Sequence, residues 1–72
     1  MRVINVTAAP RTPGRMPNRD LFAVEHFNVE LKETGALAIK YRDGTLKALY
    51  ASGFWQTVTI EEGRHGERVI TG

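Results

Sequence analysis

The sequence predicts one small all-β domain: an antiparallel meander of four main strands running from about Leu21 to Glu62. Three observations carry this. Apolar residues alternate with polar ones from Phe27 onward, glycine-bearing turn signals recur at Glu33-Thr34-Gly35, Asp43-Gly44 and Ala51-Ser52-Gly53, and the three prolines all fall before residue 18. Seventy-two residues suffice for a single domain, 1–72, which buries only about 60% of the surface its unfolded chain exposes. With no cysteine, disulfides and most zinc sites drop out as a means of stiffening so thin a core. A partner subunit, including a second copy, is the remaining way to add buried surface.

The first element is a short strand around Val3 to Ala8, where β-branched residues dominate. Ala9 to Asn18 reads APRTPGRMPN, whose prolines bar helix and central strand, so 9–19 is expected as a Pro/Arg-rich loop or arm. From Leu21 to Lys32 a strand is favoured by the alternation of Phe27, Val29 and Leu31 with Asn28, Glu30 and Lys32. A first turn of helix at 19–25, capped by Asn18, is the alternative.

Turn chemistry then sets the registers. Glu33-Thr34-Gly35 fits a three-residue hairpin loop ending in a left-handed glycine, placing Phe27, Val29 and Leu31 opposite Tyr41, Ile39 and Leu37. Asp43-Gly44 fits a two-residue type I′ turn, placing Tyr41, Ile39 and Leu37 opposite Leu46, Ala48 and Tyr50. Both turns put the apolar residues on one face. Ala51-Ser52-Gly53 read as a third such loop adds Phe54, Val58 and Ile60 to that face; a two-residue Ser52-Gly53 turn would send Trp55 there instead. After Glu62 the run GRHGER is turn-like, and Val69-Ile70 form a last short strand.

The same registers create an apolar row, Ala38, Leu49 and Trp55, on the opposite face, flanked by Ala36 and Ala51. A one-sided sheet would show polar residues there. Either the terminal strands fold over the row and close a small SH3-like barrel, or Trp55 and Leu49 anchor a partner. Lys40 is expected directly opposite Lys47, a repulsive pair that an anion would relieve, with Arg42 at the hairpin tip and Glu30 diagonal to Lys40.

Catalytic chemistry is not encoded in any recognisable spacing. His26 and His65 have no second histidine at ligand spacing, and Ser52, the only serine, sits in a tight turn. Glu61 and Glu62 are adjacent on a strand, so they point to opposite faces. No enzyme activity, metal or cofactor is expected. The N-terminus holds no apolar run of signal-peptide or membrane-span length, so the expectation is a soluble, cytoplasmic protein with no membrane partner.

Formal charge is +2, unevenly distributed. Residues 1–20 carry four arginines against one aspartate, a net of +3, and residues 21–72 carry six bases and seven acids, a net of −1. Two binding readings follow. In the first, a protein partner meets Trp55, Leu49 and the Lys40/Lys47/Arg42 surface, or the loop arginines Arg11, Arg15 and Arg19, with a homodimer as one form. In the second, a small nucleic-acid-binding β-barrel uses Lys40, Lys47 and those arginines.

The stretch GTLKALYASGFWQTVTIEEG, residues 44–63, resembles hairpins of small bacteriophage accessory proteins. That resemblance implies a protein that binds, and inhibits, a host protein; it assigns no residue a role.

Overall fold

A computed structural model describes residues 1–8, 14 and 18–72. Six strands form: β1 (Arg2–Ala8), β2 (Asn18–Ala23), β3 (Phe27–Leu31), β4 (Leu37–Tyr41), β5 (Leu46–Tyr50) and β6 (Trp55–Glu62). They make two three-stranded antiparallel sheets, ordered β2-β1-β6 and β3-β4-β5. The all-β expectation holds. The four-strand meander is reduced to three strands, and among the described residues no closed barrel forms.

The β3–β4 hairpin has the expected register, Phe27 opposite Tyr41, Val29 opposite Ile39 and Leu31 opposite Leu37. Gly35 takes the left-handed conformation at φ 90°, and its N–H donates to the Lys32 carbonyl at 3.0 Å.

The next hairpin departs from expectation at its tip. Only Gly44 has positive φ, the Gly44 N–H donates to the Tyr41 carbonyl at 2.9 Å, and Tyr41 N–H donates to Thr45 at 2.8 Å. The loop is therefore three residues, Arg42-Asp43-Gly44, rather than a type I′ pair. Asp43 avoids the left-handed region and instead accepts from the Thr45 N–H at 2.8 Å, which also holds its carboxyl below the usual range. The extra loop residue would shift every later pair by one. A bulge at Lys47 cancels it, so Lys40 lies opposite Leu46 while Ile39 still meets Ala48 and Leu37 still meets Tyr50. Leu46 and Lys47 thereby exchange faces: Leu46 turns outward, and the Lys47 ammonium sits 5.9 Å from the Tyr41 ring centre.

The expected strand at 21–32 breaks into β2 and β3 at Val24–His26, where His26 N–H donates to the Ala23 carbonyl at 3.1 Å. The helical alternative does not form. The break has a packing reason. Phe22 and Phe27 both point into the core and stack edge to face at 5.5 Å, yet five residues apart on one strand they would face opposite ways; the turn resets the phase. Leu21, Phe22 and Ala23 are all buried, as in a strand covered on both faces. Asn18 and Arg19 belong to β2, and the rest of the expected 9–19 loop, Gly14 apart, lies outside the described residues.

The third hairpin is absent. The Phe54 N–H donates to the Ala51 carbonyl at 3.0 Å with Gly53 at φ 88°, and this turn carries the chain into the other sheet, where β6 pairs with β1. Phe54 is consequently outside the core, and of the expected core residues Leu31, Leu46 and Ile60 are also largely exposed.

Between the sheets lies one core: Ile4 and Val6 from β1, Phe22 from β2, Phe27 from β3, and Leu37 and Ile39 from β4. Thus β1 covers the main apolar face of the meander and not the Ala38/Leu49 face. The chain after β6 must travel from one edge of its sheet to the other, because Ile70 bridges β2 in parallel through Ile70 N–H to Leu21 O, 2.7 Å, and Ala23 N–H to Ile70 O, 2.9 Å. The inner face is filled, so residues 63–69 cross the outer one. This crossing accounts for the burial of Val3, Leu21 and Ala23 on a face that would otherwise be wet. The expected last strand is reduced to the single bridge at Ile70.

Candidate protein-binding surface

Most of the side chains singled out from the sequence are held within the fold. The Trp55 indole N–H donates to the Gly35 carbonyl at 3.0 Å and its ring packs against the core, tying β6 to the β3–β4 turn. Ala38 is fully buried opposite Leu49, as the register predicted, but Trp55 lies in the other sheet opposite Ala8, so the three-residue row does not exist.

The cations are similarly engaged. Lys40 is not opposite Lys47; its ammonium lies 2.7 Å from Glu30, which also takes Lys32 at 2.9 Å. The diagonal Glu30 is thus the anion that Lys40 finds. Its hydrogen bonds to Lys40 and then Lys32 hold the Glu30 carboxyl down at about 2, and Glu30 in turn pushes Lys40 up. Lys47 donates to the Gly72 main-chain oxygen at 2.9 Å. Arg42 donates to Asn28 Oδ1 at 2.9 Å and to the Val24 carbonyl, pinning the β4–β5 turn to the β2–β3 corner. Arg19 lies 3.4 Å from Glu61 and 3.6 Å from Glu67, fastening the crossing segment to β2. Arg11 and Arg15 lie outside the described residues.

Because Glu30 titrates well below an unpaired carboxylate, its ion pairs stabilise the fold above about pH 4.5, and that contribution fades as pH falls through about 2. Glu30→Gln should therefore lower the urea midpoint at neutral pH, and the difference from wild type should shrink in high salt and vanish below about pH 2. Equal deficits at neutral and acid pH would show that packing, not charge, was lost.

Among the described residues, a groove of about 560 Å³ lies open between the Ala51–Phe54 turn and the first residues of β2. Leu49 and Phe54 line one side with 57% and 68% of their surfaces exposed, and Ala8 and Asn18 line the other. Asp20 and Tyr50 also line it, joined by a 2.6 Å hydrogen bond from the phenol to Asp20 Oδ2 that links the two sheets. Burial, then the neighbouring Asp20 carboxylate, pushes the Tyr50 phenol above its ordinary pKa. Of the described residues predicted as a partner surface, only Leu49 and Arg19 line this groove. Phe54, Tyr50 and Asp20 were missed because their meeting depends on β5 and β6 parting into different sheets.

A second hollow of about 250 Å³, lined by Met1, Arg2, Val24 and Glu25, holds no aromatic side chain. Under the crossing segment, buried Asn5 donates to Glu61 at 3.3 Å, while its Oδ1 has no partner among the described residues. No group of three or more His, Cys, Asp or Glu residues placed to hold a metal ion occurs among the described residues, and no helix is long and apolar enough to cross a membrane. The chain matches no protein-family model, and neither a curated protein nor a solved structure shows significant similarity to it.

Proposed function

We propose that this protein is a non-enzymatic protein-binding module whose groove beside Leu49 and Phe54 receives apolar side chains of a partner. The observation that carries the reading is the contrast at this surface. Trp55 and the cations Lys40, Lys47, Arg42 and Arg19 have acceptors within the chain, while two large apolar side chains flank a groove that is open among the described residues. The oppositely charged groups brought together form neutralising pairs, which favours binding over acid–base chemistry. Inhibition of a host protein, the role implied by the resemblance of residues 44–63 to phage accessory proteins, belongs to the same proposal. An SH3-like kinship of the fold does too; it is supported by the chain's path, which passes between sheets at Val24–His26 and again at Ala51–Phe54.

Affinity capture from the native cell tests the reading. Leu49→Asp with Phe54→Ser should abolish recovery of the partner and leave thermal stability within about 0.5 kcal/mol, since both side chains are mainly solvated. Trp55→Phe should retain the partner and lose about 1 kcal/mol of stability with its hydrogen bond. Undiminished capture by the Leu49/Phe54 variant would refute the groove.

The nucleic-acid reading draws on the net +3 charge of residues 1–20, including Arg11 and Arg15. It is weakened because Lys40 and Arg19 are neutralised within the chain. An electrophoretic shift at low salt that weakens steeply as salt rises would replace the protein-binding reading.

A further inference from the structure

We infer that the outer edge of β6 is a second interaction surface, independent of the groove, and that it pairs antiparallel with β6 of a second copy of this chain about a two-fold axis at Thr59. The edge is the place to look because an unpaired strand exposes a row of main-chain donors and acceptors, and proteins usually blunt such rows with short strands, bulges, proline or lysine. Elsewhere in this fold the edges are managed. Ile70 hydrogen-bonds along β2, β3 and β5 are only five residues long, and β5 is bulged at Lys47.

β6 is less protected, since its one irregularity against β1 is a bulge at Gln56, near its start. It is eight residues long, its pairing to β1 is regular from Thr57 to Glu62, and it contains no proline, lysine or arginine. Its outer edge meets no strand among the described residues. Glu61, which could repel a neighbour, is drawn onto the outer face by Arg19 at 3.4 Å and accepts from the Thr59 hydroxyl at 3.0 Å.

The side chains choose the occupant and the register. Ile60 lies opposite Ile4 and Val58 opposite Val6, so both point to the core side. Yet Ile60 remains 50% exposed while Ile4 is buried, because beyond β6 the core side has no further strand. A two-fold axis perpendicular to the sheet keeps both core sides on the same side, and with Thr59 facing Thr59 of the second copy, Val58 meets Ile60 and Ile60 meets Val58. Thr57 meets Glu61, and Glu62 falls beside the bulged Gln56, so no two carboxylates are opposed. An isologous contact of this kind covers the half-exposed Ile60 twice.

The absence of cysteine makes the register directly testable. Directly opposed antiparallel residues have Cα atoms about 4.5–5.5 Å apart, within disulfide reach. Thr59→Cys should therefore crosslink to a dimer under mild oxidation. In the same register two residues at position 57 lie about 13 Å apart, so Thr57→Cys should not. Sedimentation of the full chain should show a concentration-dependent monomer–dimer equilibrium that Ile60→Lys weakens at least about tenfold. If Ile60→Lys fails to fold by circular dichroism, the cysteine pair decides. A wild-type chain monomeric throughout the series, or Thr59→Cys crosslinking no faster than Thr57→Cys, would overturn the inference.

Discussion

Phe27→Ala should cost about 3–5 kcal/mol, the range for emptying a buried aromatic site, from a chain whose length implies a total of about 4–11 kcal/mol. Phe27 is almost fully buried and joins the two sheets. Its ring meets Phe22 of the first sheet edge to face at 5.5 Å and Tyr41 of the second at 5.1 Å. Truncation therefore removes buried apolar surface and two aromatic contacts, and neither sheet can relax into the gap without separating from the other. Urea unfolding followed by the fluorescence of Trp55, the only tryptophan, should show the variant partly or wholly unfolded at room temperature. Phe27→Leu, which keeps most of the volume, should recover the greater part of the loss. A deficit below about 1 kcal/mol for Phe27→Ala would mean that the sheets are not held together at this point.

The second large effect is expected at Gly35. Its φ of 90° is strained for any residue with a Cβ, and the added carbon would lie 2.8 Å from Ser52 Oγ and 3.3 Å from Ser52 Cβ. The β3–β4 turn and the turn between β5 and β6 approach each other here, and the same carbonyl of Gly35 accepts from Trp55. Gly44, at φ 94°, has open space around it. The pair separates conformational strain from contact: Gly44→Ala should cost about 1–2 kcal/mol from the left-handed backbone alone, and Gly35→Ala should cost more. Ser52→Gly should bring Gly35→Ala back towards the Gly44→Ala value in a double-mutant cycle. Because Ser52 Oγ can rotate away, the recovered part measures chiefly the crowding at its Cβ. Equal losses at Gly35 and Gly44, unchanged by Ser52→Gly, would show that the turns do not press on each other.

Local pattern carried the centre of the chain well. The alternation from Phe27 to Tyr41 and the glycine at position 35 leave one register for the β3–β4 hairpin, and that register forms. The next hairpin preserves Leu37 with Tyr50 and Ile39 with Ala48, because two opposite irregularities cancel. Asp-Gly is compatible with a two-residue or a three-residue loop, and choosing the longer one placed a bulge at Lys47 that no local signal marked. With it went the Lys40/Lys47 pair on which an anion site had been argued. Leu21-Phe22-Ala23-Val24 did hold a readable clue: an unbroken apolar run signals burial on both faces, unlike the alternation after it.

The candidate site was less legible than the fold. Leu49 was identified on the correct face, whereas Phe54 was assigned to the core by assuming that strands adjacent in sequence pair with each other. Neither the turn at Ala51–Phe54 nor the composition of β6 distinguishes a hairpin from a change of sheet. The outcome rests on β1, 47 to 60 residues away along the chain, offering β6 a longer ladder from Arg2–Glu62 to Ala8–Trp55.

By itself, the sequence determined an all-β chain, the position of three of its turns, one hairpin register and the residues Phe27, Leu37 and Ile39 at the centre of the core. These depend on side-chain period and backbone sterics, which act over a few residues. Only the tertiary structure decided that the meander ends at β5, that Trp55, Lys40, Lys47, Arg42 and Arg19 find partners within the chain, and that Leu49 and Phe54 flank a groove open among the described residues. Those outcomes depend on which distant strand or charge reaches a group first, a competition among long-range partners that no short window of sequence contains.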